Sequence, residues 1–184
     1  MSGVELCKIY KNQFDMFACN AILFNHESEK RPIEFVSRKI TNSVAKIKLG
    51  IQEHLELGNL YAKRDWGYAK DYVEAMWLML QNGNPEDFVI STNESHSIKE
   101  FVNKSFEEIG MPLTWEGEGL NEIGKFQNKT LVKVNPEFYR KNEKKILRGN
   151  NSKIKNILNW KPKTNFEQLV KIMVRHDLKN NNSI

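Results

Sequence analysis

The stretch FACNAILFNHESEKR, Phe17 to Arg31, decides how this chain is read. It opens as an apolar run and closes as a dense polar cluster, the pattern of a strand buried on both faces. In open α/β sheets, ligands bind just outside the carboxyl ends of the strands. Asn25, His26, Glu27, Ser28, Lys30 and Arg31 fall at such an end and bring donors, acceptors and positive charge together. The plainer alternative is a solvated loop behind a core strand, and this stretch alone leaves both open.

Around it lies a chain of 184 residues, long enough for one domain with a sizeable core. Its 40% hydrophobic and 28% charged content is that of a soluble globular protein. A net charge of +5 suits nucleotides, phosphates or nucleic acid without choosing among them. The expectation is no membrane: no apolar run is long enough to cross one. No secretory signal opens the sequence, and Cys7 and Cys19 have neither metal-ligand spacing nor a disulfide framework, so a cytoplasmic location is expected.

Working outward, Met1 to Asp15 carries a helical stripe of Leu6, Ile9, Tyr10 and Phe14 and reads as the tail of something longer. Ile33 to Leu49 is the next helix, closed by Gly50. Arg38 and Lys39 stand near its start, where cations oppose the helix dipole; a bound phosphate would relieve the conflict, and a solvated basic face is the alternative. His54 to Leu57 is a short strand. A loop, Leu60 to Gly67, follows, in which Arg64 offers a planar fork suited to phosphate. Tyr68 to Gln81 is a strong helix whose Tyr72, Val73, Met76, Trp77 and Leu80 are expected in the core.

Phe88 to Ser91 is a second apolar strand, and Ser97 with Glu100 forms a capping box for the helix through Ile109. Gly117-Glu118-Gly119 fails as a dinucleotide-binding loop, because Glu122 stands where the last glycine belongs; it reads as a hairpin or surface loop. Thr130 to Val134 alternates like an exposed strand. Asn150 to Asn159 is a short helix, and Thr164 with Glu167 resembles a capping box for a closing amphipathic helix. Strands and helices alternate, which argues α/β, yet two buried strands want more parallel neighbours than this chain supplies.

Taken together, FACNAILFNHES, FVSRKITNSVAKIKLG, LGNLYAKRDWGYAKDYVEAMWLMLQ, VNPEFYRKNE and NWKPKTNFEQLV resemble the C-terminal half of the GDP-mannose 4,6-dehydratase family, within the extended short-chain dehydrogenase/reductase superfamily. The resemblance runs in order from about Tyr10 to Leu178. It implies an α/β fold made of the last strands of a Rossmann sheet plus a small nucleotide-sugar-binding domain. Residues 1–32 would end the Rossmann-type domain, and residues 33–178 would form mainly the sugar-nucleotide domain, with Phe88–Ser91 returning to the Rossmann sheet. Residues 179–184 would be a disordered tail.

The same resemblance implies GDP-mannose as ligand and NADP as cofactor. His26 and Arg31 match the family's cofactor contacts; Asn25, Val36, Lys39, Arg64, Arg140 and Glu143 match its substrate contacts, the last two on the GDP portion. Lys39, Arg64 and Arg140 are also the cations that a bottom-up reading places around a diphosphate. One departure is local: Glu29-Lys30-Arg31-Pro32 stands where the family has Pro-Arg-Arg-Gly, and Pro32 stiffens the cofactor loop.

The family's reaction turns GDP-D-mannose into GDP-4-dehydro-6-deoxy-D-mannose and water, and in the family it needs a Tyr-x-x-x-Lys pair and a glycine-rich loop. No tyrosine here has a lysine four positions on, and no such loop occurs, so no catalytic residue is assigned. The expectation is a fragment that carries the substrate half of the site and is inactive without an N-terminal half. A nucleotide-sugar-binding remnant that pairs with a full-length dehydratase is the alternative. Homo-oligomers are expected of the complete enzyme. Nucleic-acid binding through Arg140 to Lys155 has charge but lacks a stacking platform, and no nucleic-acid partner is expected.

Overall fold

A computed structural model describes residues 3–139 and 146–182 of the chain. In order, its elements are α1 (Gly3–Phe14), β1 (Ala21–Leu23), β2 (Asn25–Glu27), α2 (Val36–Lys48), β3 (Leu55–Leu57), β4 (Lys63–Arg64), β5 (Trp66–Tyr68), α3 (Ala69–Gln81), β6 (Phe88–Ile90), β7 (His96–Ser97), α4 (Ile98–Glu108), β8 (Thr114–Glu116), β9 (Ile123–Phe126), β10 (Lys129–Val134), β11 (Ile146–Leu147), α5 (Ser152–Leu158) and α6 (Phe166–Asn181). Strands β1 and β6 pair in parallel, as do β2 and β5. Strand β4 lies between β11 and β7, and a four-stranded sheet runs β3-β10-β9-β8.

Two cores result. The larger gathers Ile40, Val44 and Ile47 of α2, Leu55 and Leu57 of β3, Phe101, Val102 and Phe106 of α4, and Leu169, Val170, Met173 and Val174 of α6. The helical spacing of these apolar residues turns one stripe of each helix inward. The smaller core packs Tyr72, Ala75 and Met79 of α3 against Phe88 and Ile90 of β6, with Ile154 and Trp160 closing it. Asp65, fully buried, ties the segments around it: it accepts from Thr92 N at 2.8 Å, Thr92 Oγ at 2.7 Å, Asn93 N at 3.1 Å and Gly149 N at 3.1 Å.

Several expectations need correction. The stretch Phe17 to Phe24 is not one strand buried on both faces: β1 covers Ala21–Leu23 only, and Ile22 is 45% exposed. Among the described residues β1 pairs on one edge alone, with β6, and the chain then leaves that pairing, so Asn25–Glu27 form a second strand beside β5 rather than a loop. On α3 the inward face is Asp71, Tyr72, Ala75 and Met79, whereas Val73, Trp77 and Leu80 stand about 60% exposed. The face is set by Tyr72, whose ring fills the space where a side chain at residue 67 would sit, and by Asp71, whose carboxylate accepts from Lys163 N at 3.0 Å and Thr164 N at 2.8 Å.

Strand β10 is central in its sheet, and Leu131 and Val132 are buried, so it is not an exposed strand. The closing helix is capped one residue later than the sequence suggests, by Asn165 with Gln168. It continues to Asn181, which makes Lys179 to Asn181 helical rather than a disordered tail. Arg38 is neither a solvated cation nor a phosphate ligand. Its Nη2 meets Asp177 Oδ1 at 2.5 Å and so joins α2 to α6. Thr41 Oγ donates to the other oxygen of Asp177 at 2.6 Å; burial still pushes the Asp177 carboxyl up, against the pull of Thr41 and Arg38.

Candidate functional site

A cleft of about 460 Å³ opens between the start of α2, the end of β3 and β4. Glu34, Phe35, Val36 and Lys39 form one wall, Leu57, Gly58 and Asn59 the floor, and Arg64, Ile98 and Phe138 the other side. Val36 and Lys39 lie one helical turn apart at the start of α2, which aims both the same way. The Lys39 ammonium sits 3.9 Å from the centre of the Phe138 ring, and burial lowers its pKa while Glu56 opposes the change. Arg64 is fixed in β4 between Leu147 and His96, and its Nη1 donates to Lys63 O at 2.8 Å. Gly58 carries no side chain because the Phe138 carbonyl occupies that space, so this glycine lets the 136–138 turn close the cleft wall.

A second hollow, about 390 Å³, lies where β1 gives way to β2 and is lined by Leu23, Phe24, Asn25, His26, Arg31 and Leu147. His26 Nδ1 is 2.9 Å from Phe24 O; the carbonyl can only accept, which makes Nδ1 a donor. The His26 ring rests 5.6 Å from the Tyr72 ring. Arg31 is held on two sides, its Nε 3.3 Å from Glu27 Oε2 and its guanidinium 3.6 Å above the Phe35 ring.

The named residues therefore fall into two groups. Val36, Lys39 and Arg64 share the first cleft; Asn25, His26 and Arg31 share the second. Arg140 and Glu143 lie outside the described residues. Sequence reasoning missed Phe138 and Asn59 as lining residues and mistook the place of Glu27. That carboxylate is 2% exposed and accepts from Ser37 Oγ at 2.6 Å, so it is an internal anchor and not a ligand-facing group. No spacing rule announces such an anchor, because Glu27 and Ser37 meet only through the turn between β2 and α2. Among the described residues, no three of His, Cys, Asp and Glu gather as a metal would require.

Parallel strand pairs whose carboxyl ends carry polar groups, set beside a four-stranded sheet with its own cleft, make up the α/β fold of an extended short-chain dehydrogenase/reductase. Solved structures share it. RMD from Pseudomonas aeruginosa, complexed with NADPH, superposes with a TM-score of 0.80 at 18% identity, over 96% of this chain and 53% of that one. The dTDP-glucose 4,6-dehydratase of Bacillus anthracis, in complex with NAD, gives 0.74 at 20% identity, over 97% and 50%.

The sequence then narrows the class. The family model for GDP-mannose 4,6 dehydratase matches residues 1–173, and the chain belongs to that family. It is 54% identical over 179 residues to GDP-mannose 4,6 dehydratase 2 of Caenorhabditis elegans, covering 97% of this chain and 47% of that protein. It is 54% identical over 171 residues to the human GDP-mannose 4,6 dehydratase, covering 92% and 46%. The chain thus spans about half the length of these curated relatives.

Proposed function

We propose that these residues form the substrate-gripping C-terminal half of a GDP-mannose 4,6-dehydratase, an NADP-dependent lyase of nucleotide-sugar metabolism acting in the cytoplasm. One observation carries the reading: Lys39 and Arg64, the cations a diphosphate calls for, line one cleft together with Val36 and the aromatic rings of Phe35 and Phe138. In this reading Lys39 and Arg64 neutralise the diphosphate of GDP-mannose, and Val36 packs against its nucleoside. Arg140 and Glu143 hold the GDP portion. Asn25, in the second hollow, lies at the sugar.

His26 and Arg31 fit the edge of NADP. The hollow they line, about 390 Å³, is smaller than a whole dinucleotide, and the Nδ1 contact to Phe24 O orients the His26 ring in it. When bound, the nicotinamide supplies the hydride acceptor. These 184 residues contain no Tyr-x-x-x-Lys pair, so the proton acceptor is assigned to the part of the relatives' length that this chain does not span. The partner that supplies it is an N-terminal half or a full-length dehydratase, and the complete enzyme is a homo-oligomer. Support comes from β1, whose second edge is unpaired among the described residues and can accept a further parallel strand.

The test is turnover. The purified chain with NADP leaves GDP-mannose unconsumed, and addition of the N-terminal half of a relative starts formation of the 4-dehydro-6-deoxy product. Turnover by the purified chain alone, or none after the two halves associate, contradicts the proposal.

A further inference from the structure

One buried carboxylate contacts both Arg31 of the second hollow and the turn of α2 that lines the first. Glu27 closes β2, directly after Asn25 and His26 of the second hollow. It is 2% exposed, and both its contacts lead outward. Ser37 Oγ, fully buried in the first turn of α2, donates to Oε2 at 2.6 Å; Val36 and Lys39, on either side of Ser37 in that turn, line the first cleft. Arg31 Nε lies 3.3 Å from the same oxygen, and Arg31 lines the second hollow. A single oxygen atom thus holds the wall of each.

We propose that Glu27 is a positioning residue that couples the two hollows, so that occupation of the first is felt at Arg31 in the second. This rests on the reading of the first cleft as the GDP site. Ser37 holds the buried carboxylate by a hydrogen bond, and Arg31 offsets its charge as an ion pair in which the buried Nε makes no hydrogen bond. Movement of the first turn of α2, such as a diphosphate at Lys39 would draw, pulls Ser37 and so shifts the oxygen that orients Arg31. Two other contacts bridge the same region: Arg38 Nη1 donates to Arg31 O at 3.2 Å, and Arg31 stacks on Phe35. The first holds only the backbone of Arg31. The second leaves the Arg31 side chain free to slide on the ring, whereas the Glu27 charge, 3.3 Å from Nε, draws it toward β2.

The test uses the Arg31 Nε–H resonance of the 184-residue chain, followed by NMR in the wild type, S37A and E27Q. Ser37→Ala removes the α2 contact without touching Arg31 or Phe35. The expected result is that S37A shifts the Arg31 Nε–H signal with no ligand present. GDP is then expected to shift it in the wild type and not in S37A or E27Q, and to bind both variants about 3–10-fold more weakly. An Arg31 signal unmoved by S37A overturns the coupling, whatever GDP does. A wild-type chain that binds no GDP defeats the functional reading instead, while the ligand-free comparison still decides the role of Glu27. If S37A merely loosened the fold, signals across α4 and α6 would move as far as that of Arg31, and this outcome also overturns the proposal.

Discussion

The Lys39 ammonium rests against the Phe138 ring in the first cleft, 3.9 Å from its centre, and each is fixed by something else. Lys39 is held by α2, and Phe138 by the close approach of its carbonyl to Gly58. The cation is thereby kept partly out of water, and burial lowers its pKa below that of an ordinary lysine.

A pH dependence follows from that shift. The folded state binds the Lys39 proton less tightly than the unfolded state does, so this group makes stability rise with pH between its lowered folded value and its unfolded value. Anion binding runs the other way, because the cleft needs the proton. GDP affinity falls as pH climbs through the lowered value, and K39R moves that alkaline limb upward, since arginine keeps its charge. Calorimetric titrations of wild type and K39R from pH 7 to pH 10 check this, and the comparison cancels the titration of GDP itself.

Gly58→Ala is expected to damage the cleft more than the core. The added methyl meets the Phe138 carbonyl, a backbone atom that cannot swing aside, so the 136–138 turn must retreat and take the Phe138 ring with it. GDP affinity drops about 10-fold, while thermal unfolding moves by only a few degrees. Isothermal titration beside a melting curve separates the two effects.

Asp65→Ala is expected to cost about 3–5 kcal/mol of stability in urea denaturation. It leaves the donors of Thr92 and Asn93 and the buried N–H of Gly149 without that acceptor and releases the segment that follows β11. Asp65→Asn keeps one acceptor oxygen and loses less.

Exposed apolar surface sets the behaviour of the chain in solution. α1 buries no residue, and Leu6, Tyr10 and Phe14 stand outside; on α3, Trp77 and Leu80 do the same. Together with the open edge of β1, these surfaces favour self-association or capture of a partner. Light scattering on the purified chain is expected to show species larger than a monomer, reduced by F14K and W77K. A monodisperse monomer at working concentration contradicts this.

Much of this was legible in the residues. The apolar run before NHES contained β1, Leu55 with Leu57 announced β3 by facing one way, and the apolar run Phe88 to Ser91 announced β6. Ser97 and Glu100 gave the start of α4 to the residue, because a capping box is a local bond between near neighbours. What stayed hidden depends on distant partners. Nothing near Arg38 says that Asp177 waits 139 residues away, and nothing near Glu27 says that Ser37 folds back to it. Trp77 was misplaced for a related reason: helical periodicity names an apolar stripe but not whether a neighbour exists to cover it.

In the proposed function, Lys39 and Arg64 grip one guanine-linked diphosphate. The most direct test is a calorimetric titration of the 184-residue chain with GDP, in the wild type and in a K39A/R64A variant shown to be folded. One binding site is expected in the wild type, with a loss of at least about 10-fold in affinity in the variant. A folded wild-type chain that binds no GDP, or a variant that binds it as well as the wild type, contradicts the account.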